Sequence, residues 1–309
     1  MQSDEPRTPD SPPIAAPPPI PGAPPDPSRP APIDPSPPSP RPPEAARSPA
    51  LVVQHLSKTY EGTPAVVDLS FAVLPGEILG LVGPNGAGKT TTLRSICGVL
   101  PLQAGSVSIC GFPLEEDEAA AKRKLAWIPD DPQPFDSLTV LEHLRFTAAL
   151  YGVADWEPRA GSLLERFELD EKREALGGEL SRGMRQKLAF CCAWIHSPRV
   201  VLMDEPLSGL DPRGIRAAKV AIRELAAEGA AVILSSHLLV LIEELAHRIL
   251  ILDRGRKVFA GTLAEARATL SAPEGSSLEE IFMAATEGPR GPNGGPPVAR
   301  GEGARGSGA

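Results

Sequence analysis

A glycine-rich segment near residue 83 has the residue types and spacing needed to hold phosphate groups. GPNGAGKT at 83–90 fits the pattern G-x-x-x-x-G-K-[ST] and lies between an apolar run that predicts a strand and a run that predicts a helix. Glycines let backbone N–H groups turn toward phosphate oxygens, Lys89 supplies a positive charge for the β- and γ-phosphates, and Thr90 supplies a hydroxyl ligand for Mg²⁺. The segment therefore predicts a nucleotide site. The residues expected to bind the nucleotide here are Gly83, Pro84, Asn85, Gly86, Ala87, Gly88, Lys89, Thr90 and Thr91.

Three later segments extend this pattern. ELSRGMRQK at 179–187 places Ser and Gly where a helix is predicted to begin, VVLMDEPLSGLDP at 200–212 ends an apolar run in two carboxylates, and ILSSH at 233–237 ends another run in a histidine. Taken alone, such polar strand ends are most often solvated loops, but here they follow a phosphate-binding loop. Together the four segments resemble the nucleotide-binding subunits of ATP-binding cassette (ABC) transporters, and the resemblance covers residues 51–270.

The resemblance implies a role for each of these polar residues. Asp204 matches the second magnesium-binding motif of the family, and Glu205 matches its general base, which polarises the water that attacks the γ-phosphate. A positioned base is worth about 10²–10⁴ in rate. His237 matches the histidine that hydrogen-bonds the γ-phosphate, and Tyr60 matches the aromatic residue that stacks on adenine. We therefore expect Glu205, His237 and Lys89 to be the catalytic residues of an ATPase.

In this family the ATP lies between two subunits arranged head to tail. The resemblance implies that Ser181 and Gly183 cap the γ-phosphate held by the other chain, with Asp211 at the same interface. A Ser hydroxyl and free N–H groups at a helix start are suitable anion donors. We expect a dimer around two MgATP, formed with a second copy or a close homologue.

Two positions depart from the commonest family pattern. Arg182, in LSRGM, replaces a glycine, and we expect its side chain to point outward, where it could add positive charge near the phosphate. Asp130, in AWIPDDP, replaces a glutamine that contacts Mg²⁺ and the attacking water. A unit charge about 4 Å away at an effective dielectric near 20 is worth roughly 4 kcal/mol, so this change alters the site. Our hypothesis is that Asp130 joins Thr90 and Asp204 at the metal; Gln133 takes this place if the loop is shifted.

Apolar runs alternating with helical patterns predict an α/β fold. The resemblance implies a P-loop NTPase core with a mostly parallel sheet, an antiparallel β subdomain and an inserted helical subdomain that carries the Ser-Gly motif. Within 131–198 the pattern is helical, and 135–152 predicts an amphipathic helix capped by Ser137 or Thr139. The predicted strands are 51–56, 66–74, 77–83, 107–110, 125–128, 200–204, 231–236 and 249–253.

Composition divides the chain into domain and flanking segments. Residues 1–50 are proline-rich and 287–309 are Gly- and Pro-rich, so we expect both to be disordered. An ABC ATP-binding domain is expected at 51–271, and 272–286 should hold a short helix, since SSLEEIF resembles the ending of exporter-type ATPases.

The remaining features restrict the partners. A net charge of −8 argues against nucleic acid. The four cysteines form no CxxC pair and are expected to be reduced thiols. Neither a signal peptide nor a membrane span is predicted, so we expect a cytoplasmic chain, peripheral on the inner face of the membrane, that powers export by a separately encoded transmembrane permease.

Two alternatives remain open at this stage. The first is a soluble ABC ATPase that acts in translation or DNA maintenance; the single cassette, the acidic charge and the lack of heptads disfavour it. The second is a non-hydrolysing regulatory subunit, which only the unusual Asp130 favours.

Overall fold

A computed structural model describes residues 48–269 and 276–287 of the chain. Most of the segments predicted to be disordered, 1–50 and 287–309, lie outside these residues. The strands described are β1 (Leu51–Tyr60), β2 (Thr63–Val73), β3 (Ile78–Val82), β4 (Ala104–Ile109), β5 (Phe112–Pro113), β6 (Leu125–Ile128), β7 (Val200–Asp204), β8 (Ala231–Ser235), β9 (Arg248–Asp253) and β10 (Arg256–Gly261). The helices described are α1 (Lys89–Ile96), α2 (Glu118–Lys122), α3 (Val140–Tyr151), α4 (Trp156–Arg166), α5 (Arg182–Trp194), α6 (Pro212–Ala227), α7 (Leu239–Leu245), α8 (Leu263–Thr269) and α9 (Leu278–Glu287). None of these helices is long and apolar enough to cross a membrane.

The larger sheet confirms the predicted α/β core, with strand order β10-β9-β3-β8-β7-β6. Strands β6, β7, β8, β3 and β9 are parallel, and β10 returns antiparallel to β9. Every residue of β3, β7 and β8 is buried, as expected for parallel strands covered on both faces. The carboxyl ends of these three strands meet at one edge of the sheet, which is where ligands bind in open α/β sheets.

The smaller sheet is antiparallel, in the order β2-β1-β4-β5. Its first two strands are joined by a tight turn in which Glu61 and Gly62 have φ angles of 47° and 82°. Positive φ at both central residues is typical of a type I′ hairpin turn. Close to this turn, Ala65 packs on the glycine-rich loop, because a Cβ atom added at Gly88 would lie 2.4 Å from the Ala65 carbonyl oxygen. The two sheets therefore meet at that loop.

Between β6 and β7 the chain forms α3, α4 and α5, in agreement with the helical pattern of the sequence. Helix α3 begins at a capping box, in which Thr139 Oγ1 accepts a hydrogen bond from Glu142 N and the Glu142 carboxylate accepts one from Thr139 N. Thr139 is therefore the cap residue. The interior of this insert includes Phe167 stacked on Phe190, with ring centroids 5.2 Å apart and both side chains buried.

The short C-terminal helix predicted from SSLEEIF is present as α9. Its Leu278 and Ile281 are fully buried, and the helix packs against α7. A hydrogen bond of 3.0 Å from Arg267 Nε to the Ser276 carbonyl oxygen connects its start to α8. The terminal helix is thus anchored to the element that follows His237.

Candidate active site

The glycine-rich segment forms the predicted turn between β3 and α1. Gly86 and Gly88 have φ angles of 78° and 101°, which glycine adopts much more readily than other residues. A side chain at position 88 would collide with Ala65, whereas nothing lies within 4 Å of a Cβ atom built on Gly86. The loop therefore packs closely against β2 on one side and leaves open space on the other, next to the N-terminus of α1, where anions bind favourably.

An open cavity of 420 Å³ lies beside this loop. It brings together most of the predicted site residues, although they come from the β1–β2 hairpin, the glycine-rich loop, the segment after β6 and the end of β7. We call it the P-loop cavity, and its volume is in the range of small-molecule sites. Its lining residues are Tyr60, Ala65, Asn85, Gly86, Ala87, Gly88, Lys89, Thr90, Thr91, Asp130, Asp204 and Glu205.

Lys89 holds its ammonium group within the turn that precedes it. Its Nζ donates hydrogen bonds to the carbonyl oxygens of Gly83 at 2.7 Å and Pro84 at 3.3 Å. Burial lowers the pKa of Lys89, and the negative charges of Glu205 and Asp204 oppose this shift. The two carboxylates therefore favour the charged form of the lysine in a buried position.

Asp204 is held firmly at the end of β7. It pairs with Ser235 in the parallel register of β7 and β8, and Ser235 Oγ donates a hydrogen bond to Asp204 Oδ1 at 2.5 Å. Only 3% of Asp204 is exposed. With the Thr90 hydroxyl and the Asp130 carboxylate, which line the same cavity, it provides the hard oxygen donors that Mg²⁺ prefers. The donor set therefore fits the metal that the P-loop motif implies.

Glu205 adopts an uncommon backbone conformation directly after Asp204. Its φ angle is 47°, in the left-handed region, and such strain costs about 1–3 kcal/mol and clusters at functional sites. Its N–H donates a hydrogen bond to the Ser235 carbonyl oxygen at 3.1 Å, and its carboxylate accepts one from Ser236 Oγ at 3.3 Å. His237 Nδ1 lies 2.7 Å from Glu205 Oε2. His237 does not line the P-loop cavity, but it contacts Glu205, which does.

The Ser-Gly motif lies outside the P-loop cavity of its own chain. Ser181 caps α5, since its Oγ accepts a hydrogen bond from Met184 N at 3.3 Å. Gly183 packs tightly, because an added Cβ atom would lie 2.7 Å from the Gly209 carbonyl oxygen. The half-exposed Asp211 caps α6, and its hydrogen bond from the Gly214 N–H lowers the pKa of its carboxyl, with Lys187 contributing further.

The two positions that depart from the family pattern contact each other. Arg182 Nη2 lies 3.3 Å from Asp130 Oδ1 and donates a hydrogen bond to Ser208 Oγ at 3.0 Å. The expectation that this arginine simply points outward is therefore incomplete, because it reaches across to the segment after β6. Gln133 bonds to Asp131 at 2.7 Å and lines a different cavity, so its position gives no support to the alternative metal ligand.

A second cavity, of 320 Å³, lies between β6 and the helices of the insert. Much of its lining is aromatic or aliphatic, including Trp127, Leu150 and Tyr151, and Leu150 is 67% exposed. Beside it, the exposed rings of Phe135 and Phe146 form an edge-to-face pair with centroids 5.7 Å apart. We call this surface the helical groove, and exposed apolar surfaces of this kind commonly bind partners.

The sequence did not single out the two serines that donate hydrogen bonds to the carboxylates of Asp204 and Glu205. Ser235 bonds to Asp204, and Ser236 bonds to Glu205. A signal was present, because both hydroxyls end an apolar run that precedes a histidine. What the sequence lacked was the strand order, which places β8 beside β7.

Comparisons with known proteins agree with the fold described above. A sequence model of the family described as ABC transporter matches residues 66–208. The ABC-type transporter ATP-binding protein EcsA of Bacillus subtilis is 33% identical over 239 residues, which cover 77% of this chain and 96% of the relative. The Nod factor export ATP-binding protein I of Burkholderia thailandensis is 36% identical over 231 residues, or 74% of this chain and 75% of the relative. A solved structure of an ATP-binding subunit of an ABC transporter is 36% identical, with a TM-score of 0.73, and the match covers 76% of this chain and 98% of that one.

Proposed function

The chain belongs to the ABC transporter family as an ATP-binding subunit, and from this premise we propose that it hydrolyses ATP to power export by a separate transmembrane permease. The preference for export rests on the SLEEIF ending and on similarity to relatives such as the Nod factor export protein. The permease is the component that selects the transported substrate.

One observation carries the proposal of hydrolysis, which is that complementary charged and polar groups line a single cavity. Lys89 supplies positive charge for the phosphates, and Thr90 and Asp204, together with Asp130, are the oxygen ligands that would hold Mg²⁺. Bound there, Mg²⁺ would neutralise charge on the β- and γ-phosphates. Glu205 acts as the general base and accepts a proton from the attacking water, while its 2.7 Å contact with His237 keeps the carboxylate in one orientation.

The positions of the Ser-Gly motif support a dimer. Ser181 is exposed and Gly183 is half-buried, and neither lines the P-loop cavity of its own chain. A helix start with a Ser hydroxyl and free N–H groups attracts anions. In the dimer we propose, this motif and Asp211 contact the γ-phosphate side of an ATP held by the second subunit, and each nucleotide is enclosed by both chains.

The helical groove is the surface that we propose for the permease. It is apolar, exposed and carried by the insert that also bears the Ser-Gly motif, so a permease bound there can respond to closure of the dimer. Docking at this surface would hold the chain on the inner face of the membrane.

The test is steady-state phosphate release by the purified chain in MgATP, compared between the parent and Glu205→Gln. We expect the parent to turn over and the variant to be at least 100-fold slower, since removal of a positioned base costs about 10²–10⁴. Glu224→Gln is the matched control, because Glu224 is a half-exposed carboxylate on α6 that pairs with Arg166 on α4 and does not line the P-loop cavity.

Two results would overturn the proposal. A parent that binds MgATP and releases no phosphate would be a non-hydrolysing regulatory subunit. Turnover by Glu205→Gln equal to that of Glu224→Gln would remove Glu205 from its role as the base.

A further inference from the structure

Arg182 connects three segments that are far apart in the sequence. Its Nη2 lies 3.3 Å from Asp130 Oδ1, after β6, and 3.0 Å from Ser208 Oγ, after β7. Its aliphatic stem passes over Gly209, where an added Cβ atom would lie 3.3 Å from Arg182 Cδ. One arginine can serve two acceptors because its planar guanidinium carries five N–H donors in a fixed fork. The side chain therefore has defined partners and a defined place on the backbone.

Asp130 is the member of this arrangement that reaches the P-loop cavity. The lining of that cavity has three carboxylates, on Asp130, Asp204 and Glu205, and the ammonium group of Lys89. Asp204 and Glu205 interact with serine hydroxyls and a histidine, whereas Asp130 interacts with a permanent cation. Because the phosphates of ATP are negative, an unpaired Asp130 would repel them.

We propose that Arg182 is a positioning residue that pairs with Asp130 of its own chain and so lowers the electrostatic cost of binding ATP phosphates beside this carboxylate. The inference rests on the proposed function, because it takes ATP as the ligand of the cavity. Arg182, in place of the usual glycine, then compensates for the charge of Asp130, in place of the usual glutamine. Through this pair, the helical insert contributes to the nucleotide site of the same chain.

A double-mutant cycle on ATP affinity tests this pairing. Titration calorimetry measures the affinity with ATP itself as the probe. EDTA is present to remove Mg²⁺, which the proposed hydrolysis requires, so that the ATP is not consumed. The protein is used at concentrations where sedimentation shows a monomer. We expect Arg182→Ala to weaken binding about tenfold, the effect of a unit charge roughly 8 Å away at an effective dielectric near 30. Asp130→Asn in the Arg182→Ala background should restore the affinity to within about threefold of the parent, and Arg182→Lys, which keeps the charge, should stay close to the parent.

The controls separate charge pairing from a purely structural role. If Arg182 acted only through Ser208 and Gly209, its removal would weaken binding equally with Asp or Asn at position 130. The pair Arg166→Ala and Glu224→Gln, an exposed ion pair of 2.6 Å between α4 and α6, should leave ATP affinity unchanged.

The outcomes also separate this inference from the proposed function. If the parent binds ATP and the effects of the Arg182 and Asp130 substitutions on binding free energy are additive, only the pairing is overturned. A parent that binds no ATP would overturn both proposals.

Discussion

The P-loop cavity and the helical groove have similar volumes, 420 and 320 Å³, but they are built from opposite kinds of residues. In the cavity, strand ends and a glycine-rich turn hold charged groups such as Lys89, Asp204 and Glu205 in fixed positions. In the groove, the half-buried Trp127 and the exposed Leu150 contribute to an apolar surface that is formed by β6, α3 and α5.

Under the proposed function, the two sites have different tasks. The charged groups of the cavity are held by neighbouring backbone and hydroxyl groups, as catalysis requires. The groove depends on exposed side-chain surface, which suits binding to another protein. Chemistry at one site and partner binding at the other should therefore be separable by mutation.

The largest effect should come from Lys89→Ala in the P-loop cavity. A unit charge about 4 Å from a phosphate is worth roughly 4 kcal/mol at an effective dielectric near 20, so we expect affinity for MgATP to fall by up to about 10³-fold. Titration calorimetry measures this change. Lys122→Ala, at a half-exposed lysine on α2 that pairs with Glu118, is the control. Affinity of the Lys89 variant within tenfold of the parent would contradict the importance of this charge.

The next effect concerns the helical groove. Leu150 is 67% exposed, so Leu150→Asp should leave the fold intact while placing a charge on the surface that we propose for docking. We expect co-purification with the membrane permease to fall about 30-fold, as for a central interface residue worth about 2 kcal/mol. Val220→Asp, at an exposed valine on α6, should not change it. Equal recovery of the permease with both variants would place the docking surface elsewhere.

The groove should also make the stability of the protein depend on pH. His196 lines the groove, where burial lowers its pKa from 6.5 to about 4, with a smaller contribution from Arg159. As pH falls from 6.5 to 4, the unfolded chain takes up this proton first. The stability contributed by the neutral ring is therefore present above about pH 6.5 and lost over this window.

Between pH 6.5 and 4, the free energy of unfolding should fall by about 1–2 kcal/mol more for the parent than for His196→Gln, after allowance for partial exposure of the ring. Urea unfolding at several pH values measures the difference, with the two proteins aligned at pH 7.5, where both states hold a neutral ring. Parallel stability curves between pH 6.5 and 4 would show that the groove does not disfavour charge.

The smallest effect should come from Tyr60, which is 44% exposed at the edge of the P-loop cavity. If its ring stacks on adenine, Tyr60→Ala should weaken ATP binding by about 1 kcal/mol, or roughly fivefold, and Tyr60→Phe should bind like the parent. Fluorescence titration with a nucleotide analogue measures both variants. Identical affinities for the Ala and Phe variants would show that the ring of Tyr60 does not contribute to nucleotide binding.

The sequence predicted the P-loop cavity much better than the groove, and the reason is physical. A phosphate-binding turn requires glycines and a lysine at fixed spacing, and strands such as β6 and β7 are short apolar runs with clear ends, so both are visible in the sequence. The groove joins positions from Ala126 to His196 whose proximity depends on helix packing, which no local pattern encodes.

The missed features have similar causes. Helices α2, α7 and α8 have five to seven residues, too few for a helical period to show. The contact between Arg182 and Asp130 links residues 52 positions apart, and its geometry depends on the arrangement of the insert against the sheet. The departures from the family pattern were visible in the sequence, but their pairing was not.

The separation of chemistry from docking is tested most directly by measuring phosphate release from the isolated chain for Glu205→Gln and Leu150→Asp in the same MgATP assay. We predict that Glu205→Gln is at least 100-fold slower than the parent and that Leu150→Asp stays within about twofold, because Leu150 is exposed and does not line the P-loop cavity. Equal rates for the two variants, or loss of turnover in Leu150→Asp alone, would contradict it.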